Sequence, residues 1–177
     1  MPRPARDTPK ETLEQRRFSI GIHSPYKEAA GTRLARASMI QAYGRKDIAP
    51  GPVLGGVGAR AADGTVAVTI KNAGKGVTLH TDGAFGFEAL PYEHTAYSAY
   101  WTNVPIVAHT ADSVTLGDVP ANATRLRYLW YANACSTERF KCPIYVTVDP
   151  LHDGLSGEHG FLPLGPFIAD IPKQRNN

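Results

Sequence analysis

The sequence predicts a mostly β protein in which a C-terminal β-sandwich is preceded by one amphipathic helix. Three observations lead to this fold class. Glycine and proline supply 17 and 14 of the 177 residues, and this abundance favours many short strands and turns over long helices. Short stretches that alternate apolar and polar residues fill much of the chain beyond residue 60. Apolar residues at helical spacing stand out in one stretch, before residue 45.

The predicted helix begins at Ser24 and ends at Gly44. Ser24 is a suitable N-cap, Pro25 suits the first helical position, and Gly44 is a typical C-terminal stop. Between them the apolar residues recur at steps of four, four, three and three: Tyr26, Ala30, Leu34, Ala37 and Ile40. A single helix cannot bury such a stripe well against a sandwich that follows it. We therefore expect the surface that covers this stripe to lie outside the sandwich.

The predicted strands follow a Pro/Gly-rich connector, DIAPGPVLGG, at 47–56. Five short segments show the alternation of half-buried strands: Thr65–Ile70, Val77–Thr81, Ser113–Val119, Arg125–Ala132 and Ile144–Val148. Turn residues separate them, among them Asp63-Gly64 and Asp82-Gly83. Short strands at this spacing, with no helical pattern between them, are typical of an all-β sandwich.

Three regions are predicted: a disordered basic tail at 1–17, the helix block at 18–45 and the β-sandwich at 46–177. The net charge is +3, and no basic stripe with interleaved aromatic residues follows the tail, so no nucleic-acid partner is predicted. No apolar run approaches the roughly 18 residues of a membrane span. The tail has no apolar core of a secretory signal. We predict neither a membrane partner nor a signal peptide.

No metal site and no cofactor are predicted. Two His-carboxylate pairs, His152-Asp153 and Glu158-His159, fit no compact ligand motif, and glycines separate them.

Aromatic residues cluster in PYEHTAYSAYWTNV, residues 91–104. Aromatic faces on a sandwich can stack on sugar rings, which makes Tyr97, Tyr100 and Trp101 candidate sugar-stacking residues. The alternative is that they pack in the core or against a neighbouring domain.

Two further features bear on the compartment. Asn122-Ala-Thr124 is an N-glycosylation triplet, although such triplets also arise by chance. Cys135 and Cys142 flank a polar hexapeptide, and could either close a small loop as a disulfide or remain two thiols in a reducing compartment.

Three separated blocks resemble one known family. Residues 22–44 contain I-H, Lys27, Arg33-Leu34 and A-Y-G at the spacing of the block that carries the catalytic histidine in sialate O-acetylesterases. LRYLWYANACSTERFKCPIYVTVD, at 126–149, resembles that family's later cysteine-containing block, and LPLGPFIADI, at 162–171, resembles its C-terminal block. The order and spacing of the blocks extend the resemblance over about residues 18–172.

The resemblance implies an SGNH-type serine esterase that removes O-acetyl groups from sialic acids or related acetylated glycans. It assigns the helix block to the end of an α/β hydrolase domain and gives His23 the role of general base. It also implies a Cys135–Cys142 disulfide. The family and the cysteine pair point to a secreted or lysosomal protein.

The other catalytic groups are missing from the matching positions. No Gly-rich strand-to-helix turn presents a serine, and Ser19-Ile20-Gly21 before His23 contains no carboxylate. A general base needs a nucleophile within hydrogen-bond reach. We therefore expect the C-terminal part of such an enzyme, without its nucleophile and with an N-terminal esterase fragment as partner. One alternative is a non-catalytic β-sandwich module that binds a glycan or a partner chain. Another is a degenerate fragment with no activity.

Overall fold

The computed structural model of the protein describes residues 27–80, 86–91, 100–130, 142–148 and 160–173. In these ranges the chain forms one α-helix and eleven strands, and all paired strands are antiparallel. The prediction of a mostly β fold with a C-terminal sandwich is confirmed.

The helix, α1, is Lys27–Gln41. It ends where the sequence predicts, because Gly44 takes a left-handed conformation with φ 64°. There the Arg45 N–H donates to the Met39 carbonyl at 3.1 Å. The predicted cap, Ser24 and Pro25, lies outside the described residues.

The strands form three sheets. In chain order they are β1 (Val53–Val57), β2 (Val66–Lys71), β3 (Val77–Leu79), β4 (Phe87–Pro91), β5 (Thr102–Val104), β6 (Ile106–His109), β7 (Ser113–Leu116), β8 (Ala123–Tyr128), β9 (Ile144–Thr147), β10 (Phe161–Pro163) and β11 (Phe167–Asp170). The first sheet has the order β1-β2-β7-β6, the second β10-β9-β3 and the third β11-β8-β4-β5.

Strand β2 shows how the sequence pattern becomes structure. Its residues alternate strictly between buried and exposed, with Val66, Val68 and Ile70 inward and Ala67, Thr69 and Lys71 outward. Successive side chains of a strand point to opposite faces, so this alternation gives the first sheet one apolar and one polar face.

All three sheets contribute to one hydrophobic core. The largest fully buried side chains include Leu116 from the first sheet, Ile144 from the second, and Phe87, Leu126 and Tyr128 from the third. The ring centroids of Phe87 and Tyr128 are 4.7 Å apart.

The hydroxyl of Tyr128 joins two sheets. It accepts a hydrogen bond from the Ile144 N–H at 3.1 Å. Burial raises the pKa of Tyr128 well above its usual value, because the phenolate would lose its hydration.

One turn of the sandwich requires a glycine. Gly74 has φ 60°, and a Cβ there would lie 2.2 Å from the Thr147 carbonyl oxygen. That oxygen also accepts a hydrogen bond from the Lys75 N–H at 2.7 Å. The turn after β2 is therefore held directly against the end of β9.

Some predicted boundaries are wrong. Strand β1 begins inside the stretch interpreted as a connector and ends one residue beyond it. Its ladder with β2 has a register irregularity between Leu54 and Gly56, at its two glycines. The strand predicted to run from Arg125 to Ala132 ends at Tyr128, because Leu129 has φ 50°. A residue in that conformation cannot continue a strand.

Candidate functional site

The helix α1 buries polar residues and exposes apolar ones. Thr32 and Arg36, which are four residues apart, have only 7% and 5% of their surface exposed. Leu34, in the centre of the predicted apolar stripe, is 69% exposed. Ala30 and Ala37 are also exposed, one turn before and after it. The stripe from Ala30 to Ala37 is thus on the solvent side of the helix, whereas Ile40 near the helix end is half-buried.

The helix is attached to the connector by its polar side. The Arg36 Nη1 donates to the Ala49 carbonyl oxygen at 2.7 Å, and the neighbouring Ile48 is buried. None of the described strands packs extensively against α1. The polar contact fixes the helix beside the sandwich and leaves the apolar stripe available.

A second candidate surface is the outward side of the third sheet. The inward side chains of β4 and β8, such as Phe87 and Tyr128, fill the core. Glu88 and Arg127 pair in register on the opposite side. They form a two-point ion pair, with Nε–Oε2 at 2.5 Å and Nη2–Oε1 at 2.8 Å.

An aromatic ring lies over this ion pair. The guanidinium carbon of Arg127 is 4.3 Å from the centroid of the Trp101 ring, which is cation–π distance. The Glu88 side chain is only 5% exposed although its strand directs it outward. Carboxylate, guanidinium and indole therefore form one ordered stack on the sheet.

The predicted sugar-stacking residues have different surroundings. Trp101 belongs to the stack just described. Tyr100, immediately before it, is 71% exposed. Tyr97 lies outside the described residues.

The predicted catalytic histidine, His23, lies outside the described residues, so its geometry stays a prediction. Two serines fall inside them. Ser38 lies in α1, and the Ser113 hydroxyl lies 2.7 Å from the Thr110 hydroxyl at the turn before β7.

Of the residues predicted to form a disulfide or carry a glycan, the structure describes Cys142 and Asn122. Cys142 is disulfide-bonded, while Cys135 lies outside the described residues and the pairing of the two stays a prediction. Asn122 is exposed in the turn between β7 and β8. That turn is closed by the Ala123 N–H, which donates to the Pro120 carbonyl at 2.9 Å.

Neither a metal site nor a membrane span is found in the part of the chain that the structure describes. No group of three or more His, Cys, Asp or Glu residues there is arranged to hold a metal ion. The helix there is too short and too polar to cross a membrane. The predicted absence of a metal at 152–159 concerns residues outside that part.

Sequence reasoning missed Glu88 and Arg127. Glu88 is a charged residue inside the apolar strand FEALP, and such a residue is rarely buried without a partner. That signal marks Glu88 but not Arg127, which occupies an ordinary outward position of the alternating strand ATRLRY. It also does not name the partner, because 39 residues separate the two in sequence and only the β4–β8 register brings them together.

Comparison with known proteins identifies one family. The profile of the sialate O-acetylesterase C-terminal domain matches residues 57–154, which is more than half of the chain. A search of the curated proteins finds no match.

Among solved structures, the chain is similar to a carbohydrate acetylesterase from Xanthomonas citri, with a TM-score of 0.54 and 20% sequence identity. The likeness covers 82% of this chain and 28% of that chain. At this identity it shows a shared fold, in a protein more than three times the length of the matched part.

Proposed function

Because this chain belongs to the family of sialate O-acetylesterase C-terminal domains, we propose that it acts as the C-terminal part of a carbohydrate O-acetylesterase. The observation that carries the proposal is the family match over 57–154, which spans most of the sandwich from the end of β1. The substrates proposed are O-acetyl esters on sialic acids or related acetylated glycans.

In this proposal His23 is the general base and the nucleophilic serine lies outside these residues. The serine oxygen attacks the acetyl carbonyl while His23 accepts the hydroxyl proton, and His23 then returns that proton to the departing sugar oxygen. Water, deprotonated by the same imidazole, hydrolyses the acetyl-enzyme and releases acetate. Neither Ser38, within a helix, nor Ser113, beside Thr110, has the exposed strand-to-helix setting that this nucleophile requires.

The exposed stripe of α1 supports the proposal that the nucleophilic serine lies on a separate domain that packs against this helix. Helices in globular proteins bury their apolar face, whereas α1 buries Thr32 and Arg36 and exposes Leu34. We propose that the stripe packs against an apolar surface of the serine-bearing α/β domain. His23 comes four residues before α1, so docking of the helix would bring the imidazole to that domain.

The test uses the purified chain alone and together with the serine-bearing region of an esterase of this family. The readouts are labelling by a fluorophosphonate and acetate release from O-acetylated sialic acid and from an acetylated xylo-oligosaccharide. We expect neither labelling nor turnover from the chain alone. With the serine-bearing region we expect turnover that disappears in His23→Ala and falls at least tenfold in Leu34→Asp.

Two results would overturn the proposal. Labelling and turnover by the chain alone, both lost in His23→Ala, would mean that one of its own serines is the nucleophile. Failure of every serine-bearing region to restore turnover, with a folded chain, would remove the esterase role. The two substrates distinguish a sialic acid esterase from one acting on neutral sugars.

A further inference from the structure

The outward side of the third sheet has a composition unlike that of an ordinary solvated sheet face. Its strands place two rows of side chains side by side across β5, β4, β8 and β11. One row is Asn103, Glu88, Arg127 and Ile168; the other contains Leu90, Arg125 and Asp170. Trp101 precedes β5 and lies diagonally across the rows, over Arg127. We call this surface the aromatic face.

The charges of the aromatic face balance. Arg127 is paired with Glu88 at two points. Asp170 lies 3.2 Å from Arg125. Two cations thus face two anions, and the described part of the surface offers no excess charge to attract an ionic ligand.

The Trp101 ring of the aromatic face is held in place, and the ring next to it in sequence, Tyr100, is exposed. Trp101 is fixed by its cation–π contact, and the ion pair beneath it cannot shift without losing two charge-assisted hydrogen bonds. Tyr100 beside it is 71% exposed, and Ile168 across the sheet is 36% exposed. A rigid aromatic surface binds at low conformational cost.

We propose that the aromatic face binds a neutral pyranose ring of a glycan chain. The ring stacks its C–H face on Trp101, which is half-buried, and the exposed Tyr100, its neighbour in sequence, contacts the edge of the bound sugar. Its hydroxyls exchange hydrogen bonds with Arg125 and Asp170, which remain 49% and 85% exposed and offer planar donors and acceptors at the edge of the platform. The balanced charge selects an uncharged sugar over an acidic one. Binding here belongs to the sandwich and is independent of the proposed esterase.

The binding test is calorimetric titration of the full chain with three probes: xylotetraose, cellotetraose and 3′-sialyllactose. We expect at least one neutral probe to bind at millimolar affinity or better, with the same affinity at 50 and 500 mM NaCl. Trp101→Ala should weaken that binding at least tenfold, and Tyr100→Ala should weaken it at least threefold.

The control is Trp130→Ala, since Trp130 is the other tryptophan of the chain, is 52% exposed and lies beyond the end of β8. The affinity of the Trp130→Ala variant for the neutral probe should stay within twofold of that of the wild type. Because Trp101→Ala uncovers the ion pair and could unfold the sheet, Trp101→Phe serves as a second variant that keeps a ring over Arg127. It should retain most of the affinity.

The proposal is overturned if neither neutral probe binds at 10 mM. It is also overturned if only 3′-sialyllactose binds with an affinity that falls with salt, or if Trp101→Ala and Trp130→Ala weaken binding equally. None of these outcomes depends on acetate release, so failure of the aromatic face and failure of the esterase role are separable.

Discussion

The sandwich and the helix follow opposite rules of burial. In β2 the apolar Val66, Val68 and Ile70 point into the core, and the intervening residues face solvent. In α1 the polar Arg36 is buried and the apolar Leu34 is exposed. The sandwich therefore holds itself together with its own core, whereas the packing surface of the helix is not supplied by the described part of the chain. The following variants test this difference, beginning with the largest expected effect.

The same substitution in the two regions should give very different results. Leu126 is fully buried in β8 and Leu34 is 69% exposed in α1. We expect Leu126→Ala to lower the free energy of unfolding by about 2–5 kcal/mol through lost burial and a cavity. Leu34→Ala should change it by less than about 0.5 kcal/mol. Urea denaturation of the two variants gives both values, and comparable losses would contradict the distinction.

Two Gly→Ala substitutions, at Gly74 and at Gly31, should change the free energy of unfolding in opposite directions. Gly74→Ala forces a Cβ to within 2.2 Å of the Thr147 carbonyl oxygen at a positive φ, so we expect a loss of more than about 2 kcal/mol. Gly31 lies inside α1, where an added Cβ would have no neighbouring atom within 4 Å. Gly31→Ala should therefore raise stability by about 0.5–1 kcal/mol through helix propensity. Thermal melts check both, and a destabilising Gly31→Ala would mean that the open side of the helix is occupied.

The buried tyrosine makes the sandwich sensitive to alkali. The folded-state pKa of Tyr128 is raised from 10.0 by burial. Below pH 10 the Tyr128 phenol is protonated in both the folded and the unfolded chain, and the free energy of unfolding is unaffected. Above pH 10 the unfolded chain ionises this phenol and the folded chain does not, so the free energy of unfolding falls as pH rises. We expect the absorbance of Tyr128 phenolate to appear together with unfolding. Ionisation of every tyrosine at pH 10–11 in a chain with native circular dichroism would contradict the burial.

The matched variant is Tyr128→Phe, which removes the acceptor of the Ile144 N–H. Leaving that donor buried and unpaired should cost about 1–3 kcal/mol at pH 7. The loss should be smaller at pH 11, since the variant has no ionisable group at this position.

The smallest effect is expected for a charge on the apolar stripe. Leu34→Asp should leave the free energy of unfolding of the isolated chain within about 0.5 kcal/mol, since the side chain is already in water. Val68→Asp is the control, because it buries a charge at a fully buried position. A loss above about 1 kcal/mol for Leu34→Asp would show that residues of this chain cover the stripe.

The sequence predicts five of the eleven strands that the structure describes, β2, β3, β7, β8 and β9, together with the helix, and it misses β1, β4, β5, β6, β10 and β11. Alternation identifies β2, because its two faces differ in burial, and Gly44 marks the helix end by its backbone freedom. Strand β1 escapes prediction, since its Gly-Gly pair is typical of a connector until the ladder with β2 is known. The stack of Glu88, Arg127 and Trp101 escapes for another reason. It depends on the pairing of strands far apart in sequence, which local patterns do not contain.

The candidate site, too, has features that the sequence predicts and features that it does not. Aromatic chemistry alone makes Tyr100 and Trp101 candidate sugar-stacking residues, without indicating the ion pair that lies against Trp101. A family resemblance predicts the role of His23, and its surroundings remain a prediction. The stripe of α1 is predicted to need a surface outside the sandwich; Leu34, at its centre, is exposed, and the surface that covers it stays a prediction.

The measurement that tests the contrast between the two regions most directly is amide hydrogen exchange of the isolated chain, followed by mass spectrometry. We predict that amides of β2 and β8 exchange only through global unfolding. Amides of α1 should exchange through local opening at least a hundredfold faster, because the helix is attached mainly by its polar side. Equal protection of α1 and β8 would contradict this account, since the helix would then be part of the self-sufficient core.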